Sequence, residues 1–221
     1  MTSEILPKDE DVILSCAFIP DADKRAAVLV LYALLDTVRT AAARVTEPLM
    51  GEIRLRWWYE AMEEIRDGKP VRYHPLTKAL EGVARTYGVS PQALMDMVEG
   101  QMPLLEKGAL TVKDALACVD RGEVVVCQLA AAILGGQGDL AGPARLYGMA
   151  HMKARRGLSD GGETELLHLR REAARDVAGL SAPLMPLALP ASLAIDIWHS
   201  RPRGPLAKRL KLFWSYLSGR I

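Results

Sequence analysis

Helical spacing of apolar residues runs through almost the whole chain, and this pattern limits the fold more than any other feature. Within residues 31–48 the apolar positions repeat at the spacing of one helix face, as Leu31, Leu34, Leu35, Val38 and Ala42. No stretch shows a convincing alternation of β-branched residues, and the VVVC of residues 124–127 lies inside a longer helical pattern. The sequence therefore predicts an all-α protein.

Capping residues divide this pattern into separate helices. The predicted helices span about residues 22–43, 47–68, 91–108, 111–134, 141–156, 163–180, 185–199 and 205–218. The first four follow the N-cap candidates Asp21 or Asp23, Thr46, Ser90 and Thr111. Loops between them are short and no internal repeat is present, so we expect residues 1–221 to form a single-domain bundle.

Composition excludes several classes of protein. A net charge of +1 provides no overall basic field for nucleic acid. The three cysteines lack C-x-x-C spacing and lie among apolar residues, which favours buried free thiols in a reducing compartment over disulfides or zinc. No segment shows the roughly 18 to 20 unbroken apolar residues of a membrane span, and acidic residues near the N-terminus are not typical of a signal peptide. We therefore predict a cytoplasmic protein.

Motifs for common chemistry are absent from the sequence. It contains no G-x-S-x-G, P-loop or G-x-G-x-x-G, and its four histidines lack a partner at the spacing of a metal site. We interpret the histidines as surface or hydrogen-bonded residues. Glu60 and Glu64 have a spacing that can chelate a divalent ion, but Arg56 precedes Glu60 by one helical turn. An ion-paired helix face is the favoured interpretation.

Two charged residues interrupt the apolar helix of residues 22–43. Asp36 and Arg39 are expensive to remove from water without partners. They either pair with each other at i,i+3 or line a cavity, and the sequence leaves both alternatives open.

Four segments carry recognisable motifs: Arg25 to Ala33 with its L-Y-A ending, the EPLMGEIRLRWWYEAMEEI of residues 47–65, the ILGG of residues 133–136, and the C-terminal KRLKLFWSYLSGRI. Together they resemble the squalene/phytoene synthase family. The similarity is greatest to the shorter branch of the family, which includes the complex I assembly factors of this fold. The resemblance implies an isoprenoid synthase-like helical bundle around a central cavity.

The resemblance also implies where active members bind Mg²⁺ and prenyl diphosphates, and this chain departs from both motifs. Asp36 stands where the first motif has arginine, Arg39 and Thr40 replace its paired aspartates, and Ala43 replaces its last aspartate. In the second motif Gly148 and Ala150 are kept, but Lys153, Arg155 and Arg156 follow, with Asp160 as the one nearby carboxylate. Because Mg²⁺ requires several convergent oxygen ligands, we predict no metal site and no catalytic residues.

The remaining candidates are ligand-binding and surface residues. The cavity candidates are Tyr32, Asp36, Arg39, Arg54, Trp57, Asp120 and Glu123. In the C-terminal helix, basic residues alternate with apolar ones, and the candidates for contact with an anionic membrane are Lys208, Arg209, Lys211, Phe213 and Trp214. The alternative for this helix is that its apolar face docks on the bundle.

Three hypotheses follow. The favoured one is a catalytically degenerate family member that acts as a binding or assembly factor at a membrane surface, with the inner membrane as the candidate surface, as in the assembly of respiratory complex I. The second is an active prenyl diphosphate synthase that uses Mg²⁺ and other carboxylates, such as Asp114, Asp120 and Glu123. The third is an isoprenoid or lipid carrier that keeps the cavity without the chemistry. None of them has a nucleic-acid partner.

Overall fold

The computed structural model describes residues 5–43, 48–201 and 203–221. Within these ranges, helices α1 to α12 span Glu10–Cys16, Ala22–Ala43, Pro48–Arg66, Pro75–Tyr87, Pro91–Glu99, Val112–Val119, Val125–Leu134, Ala141–Arg156, Glu163–Ala178, Met185–Ala188, Ala194–Trp198 and Pro205–Ser218. The same ranges contain no strand, only an isolated bridge between Leu110 and Leu158. The predicted all-α fold is confirmed.

Helix α2 is the centre of the bundle. Its Leu31, Leu34 and Val38 are fully buried, and it contacts α1, α3, α4 and α7. A helix that is apolar on most of its surface gains stability only when neighbours cover it on several sides. By length and composition α2 is also apolar enough to cross a membrane, although 67% of its most apolar window is buried in the fold. Asp36 and Arg39 interrupt its apolar run, so the prediction that no segment reaches roughly 18 to 20 unbroken apolar residues is unchanged.

The predicted helix of residues 111–134 is continuous but irregular. Thr111 caps α6 by accepting a hydrogen bond from the backbone N of Asp114 at 3.1 Å. A single π-helical turn, Asp120–Val124, then joins α6 to α7. Such turns are common at functional sites because they change the direction of the side chains that follow. Here the turn contains the buried Glu123.

Helix ends agree with most of the predicted caps. Ser90 accepts a hydrogen bond from the backbone N of Ala93 at 3.4 Å, but α5 ends at Glu99 and a short 3₁₀ segment follows it. The predicted helix of residues 185–199 is divided into α10, a 3₁₀ segment and α11. The predicted cap Thr46 lies outside the described residues.

Helices α1 and α4 were not predicted from the sequence. The Asp9 side chain caps α1, and His74 caps α4 in front of Pro75 at the first helical position. Proline at this position and a left-handed glycine, Gly88, after the last turn are the signals that indicate α4. The N-terminus of α1 forms one wall of a small cavity.

Two minor expectations about side chains are confirmed. Cys16, Cys118 and Cys127 are buried free thiols, and burial raises the pKa of Cys16 to about 12, so this thiol stays protonated. On α3, Arg56 pairs with Glu60 at 3.0 Å. Arg72 contacts Glu64 at 2.7 Å, so this carboxylate belongs to an ion-paired face as expected.

Candidate functional site

A small cavity opens at the point where the N-terminus of α1 meets α2, the π-helical turn and α8. Its volume is about 40 Å³. It is lined by Pro7, Asp9, Val12, Tyr32, Leu35, Asp36, Arg39, Glu123, Tyr147, His151 and Arg155. Pockets for small molecules usually measure about 300–1,000 Å³, so this cavity has room only for a few water molecules.

The inner end of the cavity is closed by an ion pair between α2 and the π-helical turn. The two Arg39 Nη atoms contact the two Glu123 carboxylate oxygens, and the Nη2 to Oε2 distance is 2.6 Å. Arg39 is 8% exposed and Glu123 is 6% exposed. This bidentate arrangement is the strongest geometry for such a pair, and burial protects it from screening by water.

A third side chain completes the hydrogen bonding of the pair. Arg39 Nε donates to Gln101 Oε1 at 2.9 Å, and Gln101 Nε2 donates to the backbone carbonyl of Cys118 at 3.1 Å. Gln101 is fully buried. Because the polar atoms of the buried groups satisfy one another, the network is a rigid part of the core.

Two glycines make room for this network. A Cβ atom on Gly148 of α8 would lie 2.8 Å from the carboxyl carbon of Glu123. A Cβ atom on Gly122 would lie 2.7 Å from Arg39 Nη2. Both distances are shorter than van der Waals contact, so the close approach of α8 and α2 to the π-helical turn depends on glycine at these positions.

Asp36 and Arg39 both line the cavity, which answers the question that the sequence left open. They do not pair with each other, so the alternative of an i,i+3 pair is wrong. Asp36 Oδ2 accepts a hydrogen bond from the backbone N of Lys8 at 2.8 Å, while Arg39 turns to Glu123. The partner of Arg39 is 84 residues away, so local spacing did not reveal it.

A second polar cluster, which the sequence analysis missed, occupies the α1 side of the cavity. Tyr147 donates its hydroxyl proton to the Asp9 carboxylate, with oxygen distances of 2.9 and 2.8 Å. His151, one turn further along α8, packs edge-on against the Tyr147 ring. Its Nε2 is buried and 3.8 Å from Asp9 Oδ2, without a hydrogen-bond partner in the described chain. Burial lowers the pKa of His151, which keeps the ring neutral near pH 7.

The expectation that every histidine is exposed or hydrogen-bonded is therefore wrong for His151. Together with Asp9 and Asp11 it forms a group whose ligand atoms lie within 4.8 Å of one another. However, Lys208 Nζ already lies 2.6 Å from Asp11 Oδ1, and the Asp9 carboxylate accepts from Tyr147 and caps α1. The described chain therefore supplies its own cation to this group.

The carboxylates around the cavity do not fit a cluster of Mg²⁺ ions. Glu123 is held by Arg39, Asp36 accepts from a backbone N–H, and Asp9 accepts from Tyr147. Mg²⁺ requires nearly octahedral oxygen ligands, and none of these three groups is free to provide them without breaking an existing contact. Arg39 and Arg155 add positive charge to the same walls.

Three of the predicted cavity residues lie elsewhere. Arg54 is exposed on α3. Trp57 packs against Trp58 at a ring distance of 4.9 Å, beneath the Arg72 guanidinium. Asp120 is not among the residues that line the cavity. The prediction is therefore wrong for these three residues. Helical spacing identifies the buried face of a helix, but it does not identify which neighbouring element covers that face.

The carboxylates proposed for an active enzyme also do not converge. Asp120 pairs with Arg145 at 2.7 Å, and Asp114 accepts from the Thr111 hydroxyl at 2.7 Å on the outside of α6. Only Glu123 of that set reaches the cavity.

The C-terminal helix α12 presents a separate candidate surface. It docks through the buried Leu212 and Ser215 and through Tyr216, whose ring contacts Phe18 at 4.7 Å. The other apolar residues form an exposed stripe, which consists of Leu206, Leu210, Phe213, Trp214 and Leu217, with exposures between 47% and 71%. At about 100° per residue this stripe covers about 100° of the helix surface, opposite Leu212. We call these five residues the α12 stripe.

The basic residues predicted for this surface divide into two groups. Arg209 is exposed beside the α12 stripe. Lys208 pairs with Asp11 of α1 at 2.6 Å, and Lys211 pairs with Asp196 of α11 at 3.2 Å. The alternative, in which the apolar face docks on the bundle, is wrong for Phe213 and Trp214, because both are exposed.

Comparisons with known proteins agree with the architecture. A search of curated protein sequences gave no significant match. Among solved structures, the fold is similar to that of a dehydrosqualene synthase in complex with ligand, with a TM-score of 0.70 and 13% sequence identity. The similarity covers 96% of this chain and 92% of the other. The expected isoprenoid synthase fold is thus confirmed.

The family is assigned from the match of this sequence to a family profile. The profile of the squalene/phytoene synthase family matches residues 6–155, which is more than half of the chain and includes both the α2 and the α8 walls of the cavity. The chain therefore belongs to the squalene/phytoene synthase family.

Proposed function

We propose that this protein is a non-catalytic member of its family that acts as a binding or assembly factor at an anionic membrane surface. The observation that carries the proposal is the buried Arg39–Glu123 pair, which fills the end of a cavity of about 40 Å³. A prenyl diphosphate and its metal ions require a far larger space and free carboxylates. We therefore propose that the protein uses neither Mg²⁺ nor another cofactor.

The cost of opening the cavity supports this interpretation. Separating a buried, bidentate ion pair exposes two charges that have lost their partners, which costs about 3–5 kcal/mol. A substrate would have to provide that free energy before any chemistry. A carrier for an isoprenoid would meet the same obstacle, so the small cavity argues equally against the carrier hypothesis.

The membrane part of the proposal relies on the α12 stripe. Five large apolar side chains in one stripe, with Arg209 at its edge, are typical of helices that lie in the interface of an anionic bilayer. Exposed apolar patches of this kind usually mark an interaction surface. A protein held at a membrane in this way is suited to assist the assembly of membrane proteins, and the resemblance to the shorter family branch implies respiratory complex I as the complex concerned.

Two measurements test the proposal. Incubation with farnesyl diphosphate and Mg²⁺, followed by detection of released diphosphate, should give no turnover; turnover would overturn the non-catalytic assignment.

Sedimentation with vesicles of phosphatidylcholine and phosphatidylglycerol should carry the protein into the pellet. A protein that stays in the supernatant with every vesicle would overturn the membrane assignment.

A matched pair of variants locates the membrane contact. Phe213→Ser with Trp214→Ser removes two members of the α12 stripe and should weaken vesicle binding at least tenfold, since each exposed ring loses apolar burial in the interface. Leu49→Ser with Ile53→Ser removes two equally exposed apolar side chains from α3. This control should bind as the unmodified protein does.

A further inference from the structure

A groove of about 630 Å³ lies beside α12, away from the α2 cavity. Helix α9 forms one wall, the segment Leu189–Leu193 with α11 forms the floor, and Lys211 of α12 lies on the opposite side. Its volume is within the range of sites that hold small molecules.

The groove carries an excess of positive charge. Arg170, Arg171, Arg203 and Lys211 line it, with Asp196 as the one acidic side chain in the lining. Arg203 and Lys211 share that carboxylate, at 2.5 and 3.2 Å. Arg170 and Arg171 have no carboxylate within 4.0 Å in the described ranges 5–43, 48–201 and 203–221, so their charge is available to a ligand. Guanidinium groups bind phosphate oxygens in a bidentate geometry.

A buried hydroxyl in the floor is an independent sign of a ligand. Ser192 is 4% exposed and lines the groove. Its Oγ has no hydrogen-bond partner among the described residues. Buried polar atoms are nearly always paired, so an orphan of this kind requires an explanation. A phosphate oxygen bound at this position would supply the acceptor that the hydroxyl lacks.

The position of the groove favours a lipid over a soluble anion. Lys211 lies one helical turn before Trp214 of the α12 stripe, at i,i+3, and Leu167 on the α9 wall is 53% exposed. A bilayer that receives the α12 stripe therefore also meets the rim of the groove. Apolar side chains at the rim beside cationic walls match a glycerophospholipid, whose phosphate lies just outside its acyl chains.

We propose that this groove binds the phosphate of an anionic glycerophospholipid headgroup, through Arg170, Arg171 and the Ser192 hydroxyl. This inference depends on the proposed membrane contact of α12 and adds headgroup recognition to it. The groove gives the protein a preference for phosphate that the α12 stripe alone does not provide.

The test uses the full chain and three kinds of vesicle: phosphatidylcholine alone, phosphatidylcholine with phosphatidylglycerol, and phosphatidylcholine with oleate at equal surface charge. The unmodified protein should prefer phosphatidylglycerol over oleate. Arg170→Gln with Arg171→Gln should weaken binding to phosphatidylglycerol roughly thirtyfold and remove that preference. Ser192→Ala, which keeps the charge, should reduce the preference without abolishing membrane binding.

Control variants separate recognition from net charge. Arg85→Gln with Arg121→Gln removes two exposed charges far from the groove and should change binding by less than threefold.

Equal binding to phosphatidylglycerol and oleate in every variant would overturn the proposed headgroup binding while leaving the membrane contact of α12 intact. No binding to any vesicle would overturn both. Inorganic phosphate could instead raise the melting temperature of the unmodified protein but not of the Arg170 and Arg171 variant, without any preference among vesicles. That result would assign the groove to a soluble anion and overturn the proposed lipid ligand.

Discussion

The cavity beside α2 and the surface of α12 differ in which kind of side chain they bury. In the cavity, Arg39 and Glu123 are charged residues that are almost completely buried and satisfied by each other. On α12, Phe213 and Trp214 are aromatic residues that remain exposed. Burying charge and exposing apolar surface both cost free energy. The difference teaches that the polar groups inside the cavity already have partners within the chain, whereas the apolar side chains on α12 do not.

The largest expected effect comes from breaking the buried pair from one side. Glu123→Ala leaves the Arg39 charge without its partner inside the protein and should lower the free energy of unfolding by about 3–5 kcal/mol. Urea denaturation followed by circular dichroism measures this change. The double change Arg39→Met with Glu123→Leu should be much closer to neutral, because it removes both charges. A loss below about 1 kcal/mol for Glu123→Ala would mean that the pair is open to water.

A smaller effect is expected from filling the space next to Glu123. Gly148→Ala introduces a Cβ atom 2.8 Å from the carboxyl carbon and should destabilise the protein by about 1–3 kcal/mol, despite the higher helix propensity of alanine. Gly82→Ala is the matched control on α4, where a Cβ atom meets nothing within 4 Å. This control should stabilise the protein by about 0.5–1 kcal/mol. Equal effects of the two changes would contradict the close packing of α8 against Glu123.

Acidification should act on the α1 side of the cavity. Because burial lowers the pKa of His151, the unfolded chain binds this proton more readily than the folded protein does. Stability from this group is therefore complete above the unfolded pKa of about 6.5 and is lost as the pH falls below it, with a slope of at most about 1.4 kcal/mol per pH unit. The difference in unfolding free energy between the unmodified protein and His151→Gln, measured from pH 7.5 to 5.5, isolates it. A difference that does not change with pH would mean that His151 is exposed to water.

The smallest effect is expected for the exposed ion pair on α3. Arg56 and Glu60 are 61% and 41% exposed, and an exposed pair at i,i+4 contributes about 0.3–0.5 kcal/mol. Arg56→Gln should change the unfolding free energy by no more than that, and added salt should reduce the difference further. A loss similar to that of Glu123→Ala would remove the distinction between buried and exposed pairs on which the comparison depends.

Sequence predicted the long helices well, because their apolar spacing is local information. Helix α2 and helix α8 were both expected close to their observed ends. The short helix α1 was missed, since seven residues are too few for a clear period. The irregular π-helical turn at residues 120–124 was also missed, because it changes side-chain direction without changing the apolar pattern.

The site was less predictable than the fold, since its contacts join distant parts of the chain. Arg39 and Glu123 were both expected at the cavity, but not as partners, because 84 residues separate them. The Tyr147 contact to Asp9 spans 138 residues and had no signal in the spacing. Trp57 was expected at the cavity, but its environment is set by neighbours in three dimensions that helical spacing does not identify.

The most direct test of the closed interior is thermal unfolding in the presence of farnesyl diphosphate, with and without Mg²⁺. A ligand that binds only the folded state stabilises it by RT ln(1 + [L]/Kd) and so raises the melting temperature, which makes even weak binding visible at high concentration. We expect no rise in either condition, because Arg39, Glu123 and Gln101 occupy the end of the cavity. A clear rise that requires Mg²⁺ would show that the cavity opens to admit substrate and metal, and it would contradict the account.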